Sequence, residues 1–464
     1  MTEIIVQVLE QNLSIDIHET YFSTYQPPSA TNYDSDDDDD QATHTISMFH
    51  DKSRLGRSIN SISWIPDGCS KVAASYANLK FQGLEFSSLS ESHCESYIWD
   101  VTNPNDPVYV LSPPSPAVCV EYNPKDVHMV AGGCYNGLVC CWDTRKAGHS
   151  VLSSGIESSH RDPVYSVSWL QSKSACEVLS CSTDGRCLVW DVRKLTTPIE
   201  EIPIISKGDY SQIDGQVTLS HLDALGHGCV SMCYDIGGGP SKFIVGSEHG
   251  QVLLVNRKVK NESERCSIPF DAHLGPVLSI DRSKHFPRYF MSVGDWSAKL
   301  WYDDEHVRTP LFSTPFQSSR ILSGCWSPLK PGLFMLSRDD GVVDFWDLCI
   351  QHSLPVLSLP VLNTALCSMS VANSGAANGR LLGTGSVDGR LALVSLGDDL
   401  ASSNPSERSF MSNLLEREVK REKSLISKGK DDKEKKKSKN EDIFETEEIL
   451  QQIEDEYLSQ LQKN

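Results

Sequence analysis

One short pattern recurs along most of this chain: a tight turn followed by an apolar strand that ends in tryptophan and aspartate, or in their equivalents. The stretch CSTDGRCLVWDVRK at 181–194 contains the whole pattern. Aligned on the tryptophan, the pattern occurs seven times, at Trp99, Trp142, Trp190, Val255, Trp301, Trp346 and Val394. The intervals are 43, 48, 65, 46, 45 and 48 residues. Such regular spacing is typical of a protein built from similar units that pack side by side.

A second β-rich stretch precedes each of these markers. The seven stretches are NSISWIP (60–66), AVCVEYNP (117–124), PVYSVSWL (163–170), CVSMCYD (229–235), PVLSID (276–281), RILSGCWSP (320–328) and ALCSMSV (365–371). Seven first strands and seven third strands predict seven small sheets, and the pattern resembles a WD-repeat β-propeller. We expect THTISMF at 43–49 to supply the missing outer strand of the last sheet and so to close the ring.

The sequence therefore predicts an all-β fold, a seven-bladed WD-repeat propeller at 43–397 between two flanks. Residues 1–42 are expected to be a short N-terminal extension, and residues 398–464 a charged, partly helical tail. The long interval before Val255 predicts an insertion at 206–226 that forms a polar surface loop. Six acids between positions 34 and 40 predict a disordered segment, either a solvated linker or an acidic docking motif.

The tail changes in character along its length. Residues 417–439 hold eleven Lys or Arg and five Asp or Glu, whereas residues 440–464 hold eight acids and one Lys. Two apolar stripes at helical spacing predict amphipathic helices that either pair with another helix or remain an independent tail. Their residues are Met411, Leu414, Leu415 and Val419 in the first, and Leu450, Ile453, Tyr457 and Leu461 in the second.

Fifteen cysteines raise the question of disulfides or metal sites. No Cys-x-x-Cys pair occurs, and no set of Cys and His has the spacing of zinc ligands. Most cysteines lie within apolar strand patterns, so we predict buried free thiols in a reducing compartment. The ones in such patterns are Cys119, Cys134, Cys140, Cys141, Cys181, Cys187, Cys229, Cys233, Cys325 and Cys367.

Resemblance to WD-repeat propellers also implies a buried hydrogen-bonded set of His, Ser or Thr, Asp and Trp within a blade. One repeat offers His160, Ser180 or Ser182, Asp184 and Trp190, and another offers His273, Ser292, Asp295 and Trp301. The alternative interpretation is a His/Asp/Ser catalytic triad. Because the same constellation recurs at the repeat spacing, we interpret it as architecture.

Sequence motifs for catalysis are absent. The stretch GGGPSK at 237–242 lacks the spacing of a phosphate-binding loop, and no His-Glu-x-x-His motif occurs. We therefore predict no enzyme, with no catalytic, metal-binding or cofactor-binding residues. A net charge of −20 disfavours nucleic acid as a partner. The N-terminus lacks a signal peptide pattern and no apolar run reaches the ~18 residues of a membrane span, so a soluble intracellular chain is expected.

Several stretches are similar to the dynein intermediate chain family, and in particular to its axonemal outer-arm members. They include NPKDVHMVAGGCYNG, SVGDWSAKLW and the segment SSHRDPVYSVSWLQSKSACEVLSCSTDGRCLVWDVRK. Outside the repeats, NLSIDIHETYF at 12–22 and LLEREVKREK at 414–423 extend the resemblance. Family members have a longer region ahead of the IDI segment, whereas eleven residues precede Asn12 here, so Leu13–Phe22 is the remaining candidate for light-chain contact.

This resemblance implies a non-catalytic scaffold of the outer dynein arm in the axoneme of cilia and flagella, a part of the cytoplasm and cytoskeleton. The implied partners are dynein heavy chains, a second intermediate chain and light chains. We expect contacts on the face that carries the turns between second and third strands, with candidates Tyr135, Arg161, Glu248, Trp296 and Arg338. The open alternatives are a cytoplasmic dynein intermediate chain, a WD-repeat peptide reader, and a propeller enzyme with acids gathered in its channel.

Overall fold

The computed structural model describes most of the chain from residue 43 to residue 427. The described ranges are 43–51, 56–79, 94–146, 151–172, 175–212, 225–234, 241–374 and 379–427. By its contacts the chain divides into two compact units, Met1–Ala42 and Thr43–Asn464, and all described residues belong to the second. This unit contains seven four-stranded antiparallel sheets, which confirms the predicted fold class.

Each blade is numbered along the chain, and its strands are given from the central channel outwards. Blade 1 consists of β2 (Ser58–Trp64), β3 (Lys71–Ala77), β4 (Ser96–Asp100) and β5 (Tyr109–Leu111). Blade 2 consists of β6 (Ala117–Tyr122), β7 (Met129–Cys134), β8 (Val139–Asp143) and β9 (Val151–Ser153). Blade 3 consists of β10 (Val164–Trp169), β11 (Glu177–Ser182), β12 (Arg186–Asp191) and β13 (Glu200–Pro203).

The next three blades repeat the arrangement. Blade 4 consists of β14 (Cys229–Tyr234), β15 (Lys242–Ser247), β16 (Gln251–Asn256) and β17 (Phe270–Asp271). Blade 5 consists of β18 (Ser279–Arg282), β19 (Tyr289–Gly294), β20 (Ser297–Tyr302) and β21 (Phe312–Ser313). Blade 6 consists of β22 (Ile321–Trp326), β23 (Leu333–Arg338), β24 (Val342–Asp347) and β25 (Leu357–Pro360).

Blade 7 joins the two ends of the repeat array. It consists of β26 (Leu366–Val371), β27 (Leu381–Ser386) and β28 (Arg390–Ser395), with β1 (His44–His50) as the outer strand. Strand β1 pairs antiparallel with β28, from His44 opposite Ser395 to His50 opposite Arg390. The first described strand thus completes the last blade, as THTISMF at 43–49 predicted, and a closed ring leaves no unpaired blade face.

Large side chains from the third strands fill the space between blades. The five tryptophan markers are at most 1% exposed, and Val255 and Val394 take the same place at 2% and 0%. In blade 3, for example, Trp190 lies opposite Val178 in the register of β11 and β12. Both faces of each blade pack against the two neighbouring blades. Burial of side chains of this size therefore supplies much of the apolar stabilisation that a propeller needs.

Polar side chains on the innermost strands connect neighbouring blades around the channel. The Ser63 hydroxyl of blade 1 accepts a hydrogen bond from the Tyr122 backbone N–H of blade 2, at 3.0 Å. Likewise, the Asp281 carboxylate of blade 5 accepts from the Trp326 backbone N–H of blade 6, at 2.8 Å. Innermost strands are the edges of their sheets, so these contacts satisfy backbone groups that strand pairing leaves free.

Two α-helices follow the last strand. Helix α1 (Asp398–Ala401) is one turn long, and α2 covers residues 405–427. Met411, Leu415 and Val419 lie one turn apart on α2 and are buried in the apolar cluster formed by blades 5 and 6. The first predicted apolar stripe is therefore helical, but among the described residues it packs on the propeller itself and not on another helix, so it is not an independent tail. The second stripe, 450–461, lies outside the described residues.

The remaining short elements are 3-10 turns, and several of the segments singled out in the sequence lie outside the described residues. In the part of the chain that the structure describes, three 3-10 turns occur, at Ile156–Ser158, Asp209–Gln212 and Glu262–Glu264. The acidic run at 34–40, the segment Leu13–Phe22, the lysine-rich 428–439 and residues 213–224 of the insertion lie outside the described residues. Within the described ranges, no helix has the length and apolar character needed to cross a membrane.

Candidate functional site

The propeller has two distinct faces. We call upper the face that carries the turns between second and third strands and the loops that lead into first strands, and lower the opposite face. The positions predicted for partner contact all lie at the upper ends of their blades, in blades 2 to 6: Tyr135, Arg161, Glu248, Trp296 and Arg338.

In blade 3, the predicted His, Ser, Asp and Trp lie together in one buried network. His160 Nδ1 is 3.1 Å from Asp184 Oδ2, and His160 Nε2 is 2.8 Å from Ser180 Oγ. Trp190 Nε1 donates to the same hydroxyl at 2.9 Å. Ser180 is thus the network serine, whereas Ser182 donates to the Asp162 carbonyl at 3.0 Å. This network joins the loop before β10 to strands β11 and β12 and to the turn between them.

The carboxylate of Asp184 is ionised within this network. Burial alone raises its pKa, but the hydrogen bond from His160 and the charges of His160 and Arg186 outweigh burial and hold the pKa below its usual value. Arg186 Nη2 lies 2.9 Å from Asp184 Oδ2. Because His160 is 4% exposed, and Ser180 and Trp190 are 0% exposed, no substrate reaches this His/Asp/Ser set in the folded chain.

Blade 5 has the same residue types in a different arrangement. His273 Nε2 is 2.9 Å from Ser292 Oγ, which also receives the Trp301 indole N–H at 2.9 Å. Asp295 does not bond to His273 and instead accepts from the backbone N–H of Leu274, at 2.7 Å. Burial, followed by the charge of Lys299, lowers the pKa of His273 to about 4. The sequence pattern identified this set but not its hydrogen bonding.

Blade 1 contains a variant network that the sequence pattern did not reveal. Trp99 Nε1 donates to the hydroxyl of Tyr76 at 3.2 Å, so a tyrosine hydroxyl accepts the indole N–H here, from a position two residues beyond that of the serine in blades 3 and 5. The Arg57 guanidinium lies 5.3 Å from the Tyr76 ring centroid and 5.9 Å from that of Tyr97. Arg57 is in the loop leading into β2, and His160 and His273 are in the corresponding loops of their blades. Because Tyr76 and Arg57 do not stand at the serine and histidine positions of the repeat, the sequence pattern did not mark them.

One part of the upper face is polar and aromatic. A β-bulge between Val164 and Ser166 re-aims Tyr165, which lines the central channel. Burial raises the pKa of Tyr165, and the negative charges of Asp162 and Glu248 add to the effect. Tyr165 thus belongs with the predicted contact residues of blades 2 to 4, although the sequence pattern treated it as part of a strand.

Arg338, another predicted contact residue, is paired with two carboxylates of its own blade. It bonds to Asp340, and its Nη1 lies 3.2 Å from Oδ2 of the fully buried Asp344. The hydrogen bond with Asp340 raises the pKa of the guanidinium. Ser358 also donates to Asp344, at 2.5 Å. The charge of Arg338 is thus paired within blade 6, and removing it would leave a buried carboxylate short of a partner. Its contact with a partner protein stays a prediction.

Trp296, in contrast, is 43% exposed and lies within a larger apolar surface that the sequence did not reveal. Leu274 and Phe316, in the loops on either side of it, are 94% and 76% exposed, and Leu278 at the channel mouth is 36% exposed. We call these four residues the blade-5 patch. Large exposed apolar patches are uncommon on monomeric proteins and mark contact sites, so these residues are candidates for partner contact.

The central channel was the remaining candidate for a catalytic site. It encloses a cavity of about 670 Å³ lined by the innermost strands. Two acids line it, Glu121 and Asp281, with Lys284 3.5 Å from Asp281. Burial raises the pKa of Glu121 to about 8. Among the described residues, no group of three or more His, Cys, Asp or Glu is arranged to hold a metal ion.

The cysteines agree largely with the sequence prediction. All fifteen lie in the described ranges as free thiols, and eleven are buried. Cys233 and Cys367, which were predicted to be buried, are half-buried because they line the central channel. Burial raises the pKa of Cys233 to about 11, which keeps this thiol protonated and unreactive at neutral pH.

A closed seven-bladed ring, with its His/Ser/Asp/Trp network buried and its exposed apolar residues on the upper face, defines a WD-repeat propeller of the protein-interaction class. The family model described as the dynein axonemal intermediate chain 3 WD40 domain matches residues 46–160 and 235–370. The chain belongs to the axonemal dynein intermediate chain family.

Three relatives show the extent of the similarity. The ciliary dynein intermediate chain 3 of Heliocidaris crassispina is 39% identical over 90% of this chain and 66% of its own length. Dynein axonemal intermediate chain 2 of Mus musculus is 37% identical over 93% and 65%, respectively. The 70 kDa intermediate chain of the flagellar outer arm of Chlamydomonas reinhardtii is 34% identical over 97% and 75%. The chain thus spans slightly less than two thirds of the first two relatives.

Proposed function

We propose that this chain is a non-catalytic scaffold subunit of the axonemal outer dynein arm, where it holds motor heavy chains for ciliary or flagellar beating. The observation that carries the proposal is the similarity to the flagellar outer-arm intermediate chain of Chlamydomonas reinhardtii, which extends over 97% of this chain. Location in the axoneme follows from the same similarity.

The physical basis of the scaffold role is that different parts of the propeller provide stability and contact surface. Buried networks such as Ser180 with His160 and Trp190 fix the blades, and the upper loops are free to contact other proteins. Repeat proteins use such surfaces for binding because their shape is set by the packing between repeats. Heavy chains are the main partners that we propose, with a second intermediate chain and light chains as further ones.

Two other functions are consistent with a WD-repeat propeller. A cytoplasmic dynein intermediate chain would share the family, and a peptide-reading adaptor would share the fold. Neither is favoured by an outer-arm relative that aligns with nearly the whole chain. Fold alone does not separate these alternatives, because propellers serve many functions.

A co-sedimentation experiment tests the proposal. The full chain, carrying a tag, is expressed in ciliated cells, axonemes are extracted with high salt, and the extract is separated on a density gradient. We expect the chain to sediment with outer-arm heavy chains, identified by mass spectrometry. Sedimentation with cytoplasmic dynein, or recovery with histones or ubiquitin-ligase subunits and without axonemal heavy chains, would contradict the proposal.

A further inference from the structure

One turn of blade 5 organises a group of exposed apolar residues on the upper face. Asp295, at φ +54°, and Trp296 form the two-residue turn between β19 and β20. On one side, the Asp295 carboxylate accepts from the backbone N–H of Leu274 at 2.7 Å and of Gly275 at 2.9 Å. On the other side, the Trp296 carbonyl accepts from the Gln317 N–H at 2.9 Å, next to Phe316.

These hydrogen bonds pre-organise the blade-5 patch. Both neighbouring loops are fixed to the same turn by backbone groups, so Leu274, Trp296 and Phe316 are presented together without ordering a flexible loop on binding. Pre-organisation lowers the entropy cost of association. Tryptophan is also among the residues that contribute most to binding energy at protein interfaces. The patch therefore has the properties of an anchor for a partner protein.

The chemistry of the patch favours a helical partner over an extended one. Both carbonyls of the turn are already used, since Asp295 O accepts from the Ile321 N–H at 3.0 Å and Trp296 O from the Gln317 N–H at 2.9 Å, and the patch is built from loops and has no strand edge. An extended peptide gains much of its affinity from backbone hydrogen bonds to such an edge, whereas a helix satisfies its own backbone and presents only side chains. Recognition here must rely on side chains.

Charges around the patch define the flanks of the partner. At the upper ends of blades 4 to 6, six carboxylates stand against three cations, which leaves three negative charges uncompensated. The acids are Glu248, Asp271, Asp295, Asp339, Asp340 and Asp344, and the cations are Lys299, Arg320 and Arg338. Arg320 is already paired with Asp339, at 2.8 Å. Lysine or arginine beside the apolar face of a partner would complement this field.

We propose that the blade-5 patch docks an amphipathic helix of a dynein heavy chain, one that presents large apolar residues one turn apart and carries lysine or arginine on its flanks. This inference rests on the proposed function, since it assigns the heavy-chain contact to one blade and to one type of segment. It also adds Leu274 and Phe316 to the predicted contact residues.

Paired variants test the location of the contact. In the co-sedimentation experiment, Leu274→Ser combined with Phe316→Ser should lower heavy-chain recovery by about tenfold or more. The matched control combines Ile156→Ser with Ile199→Ser, since these residues are 83% and 59% exposed but belong to blades 2 and 3. Recovery should then equal that of the unmodified chain. Thermal unfolding of both double variants should match the unmodified chain, because the replaced side chains are largely in solvent.

The outcomes separate the inference from the proposed function. If the unmodified chain recovers no axonemal heavy chain, the proposed function fails. If it does, and the Leu274→Ser, Phe316→Ser variant recovers as much, the function stands and the docking inference is wrong. A loss of recovery that is equal in the control variant would also overturn the inference, because the effect would not depend on the blade-5 patch.

Photo-crosslinking tests the chemistry of the partner segment. Phe316 is replaced by the photoreactive residue benzoylphenylalanine, and the cross-linked peptide is identified by mass spectrometry. We expect a heavy-chain segment with apolar residues at three- and four-residue spacing and basic flanks. A cross-link to an acidic segment, to an extended segment without helical spacing, or to no heavy chain would contradict the proposal.

Discussion

The carboxylate of Asp51 receives two hydrogen bonds from the guanidinium of Arg57, at 2.7 Å from Nη2 and 3.0 Å from Nε. Asp51 directly follows the closing strand β1, and Arg57 directly precedes β2 of blade 1. Both residues are at most 5% exposed. This bidentate pair therefore fixes the closing strand of blade 7 to the first blade.

Replacing Arg57 should weaken the ring strongly. In Arg57→Met, the Asp51 carboxylate stays buried and loses its charged partner, so we expect the free energy of unfolding to fall by about 3–5 kcal/mol. Denaturation in urea, followed by tryptophan fluorescence, measures the change. Arg145→Met is the matched control, because Arg145 pairs with Asp143 at 53% side-chain exposure and should contribute less than about 1 kcal/mol. Equal effects of the two variants would contradict the role given to the buried pair.

The serine network of blade 3 makes a second prediction. Ser180→Ala removes the shared partner of His160 and Trp190 in a fully buried site, so we expect a loss of about 1–3 kcal/mol in the free energy of unfolding. Ser158→Ala, which removes a hydrogen bond at an exposed site, should change stability little. The same urea titrations compare the two. A Ser180→Ala variant as stable as the original chain would show that the network is dispensable.

The lowered pKa of His273 predicts how the free energy of unfolding depends on pH. Its pKa is about 4 in the fold and 6.5 in the unfolded chain, so the unfolded chain binds the proton first as the pH falls. Stability is complete above pH 6.5 and decreases down to about pH 4, by on the order of 1–2 kcal/mol between pH 7 and pH 5. Urea denaturation at both pH values should show a smaller loss for His273→Gln. His249→Gln, at an exposed site, should keep the full loss.

Helix α2 makes a fourth prediction. Leu415 is 3% exposed between blades 5 and 6, and Leu415→Ala removes apolar contacts that stabilise docking by about 2–4 kcal/mol. We expect faster hydrogen–deuterium exchange over residues 405–427. Leu425→Ala is the control on the same helix, since Leu425 is 51% exposed. Unchanged exchange in Leu415→Ala, or equal acceleration in both variants, would contradict the docking described here.

The number and positions of the blades could be predicted from local sequence patterns. Most of the features that the sequence did not predict depend on contacts between distant segments. The tryptophans at regular spacing, and valine in two repeats, gave the number of blades, because each marks a third strand whose large side chain fills the gap to a neighbour. The stripe of Met411, Leu415 and Val419 predicted a helix, but its binding surface is created only when blades 5 and 6 fold together.

The residues of the upper face could also be predicted only in part, because contacts between distant segments decide which of them lie together. Position in a repeat was sufficient to place Trp296 on the upper face, but not to show that Arg338 is paired with Asp344. Leu274 and Phe316 carry no motif, and only the hydrogen bonds to the Asp295–Trp296 turn bring them together. An exposed apolar residue in a loop is recognisable as part of a surface only from the structure.

Electron microscopy of axonemes from ciliated cells that lack this chain is the most direct test of the scaffold role. We expect cross-sections without outer dynein arms and with inner arms retained. When the full chain is restored, the outer arms should be recovered. Cross-sections with a full complement of outer arms in the absence of the chain would contradict the scaffold role.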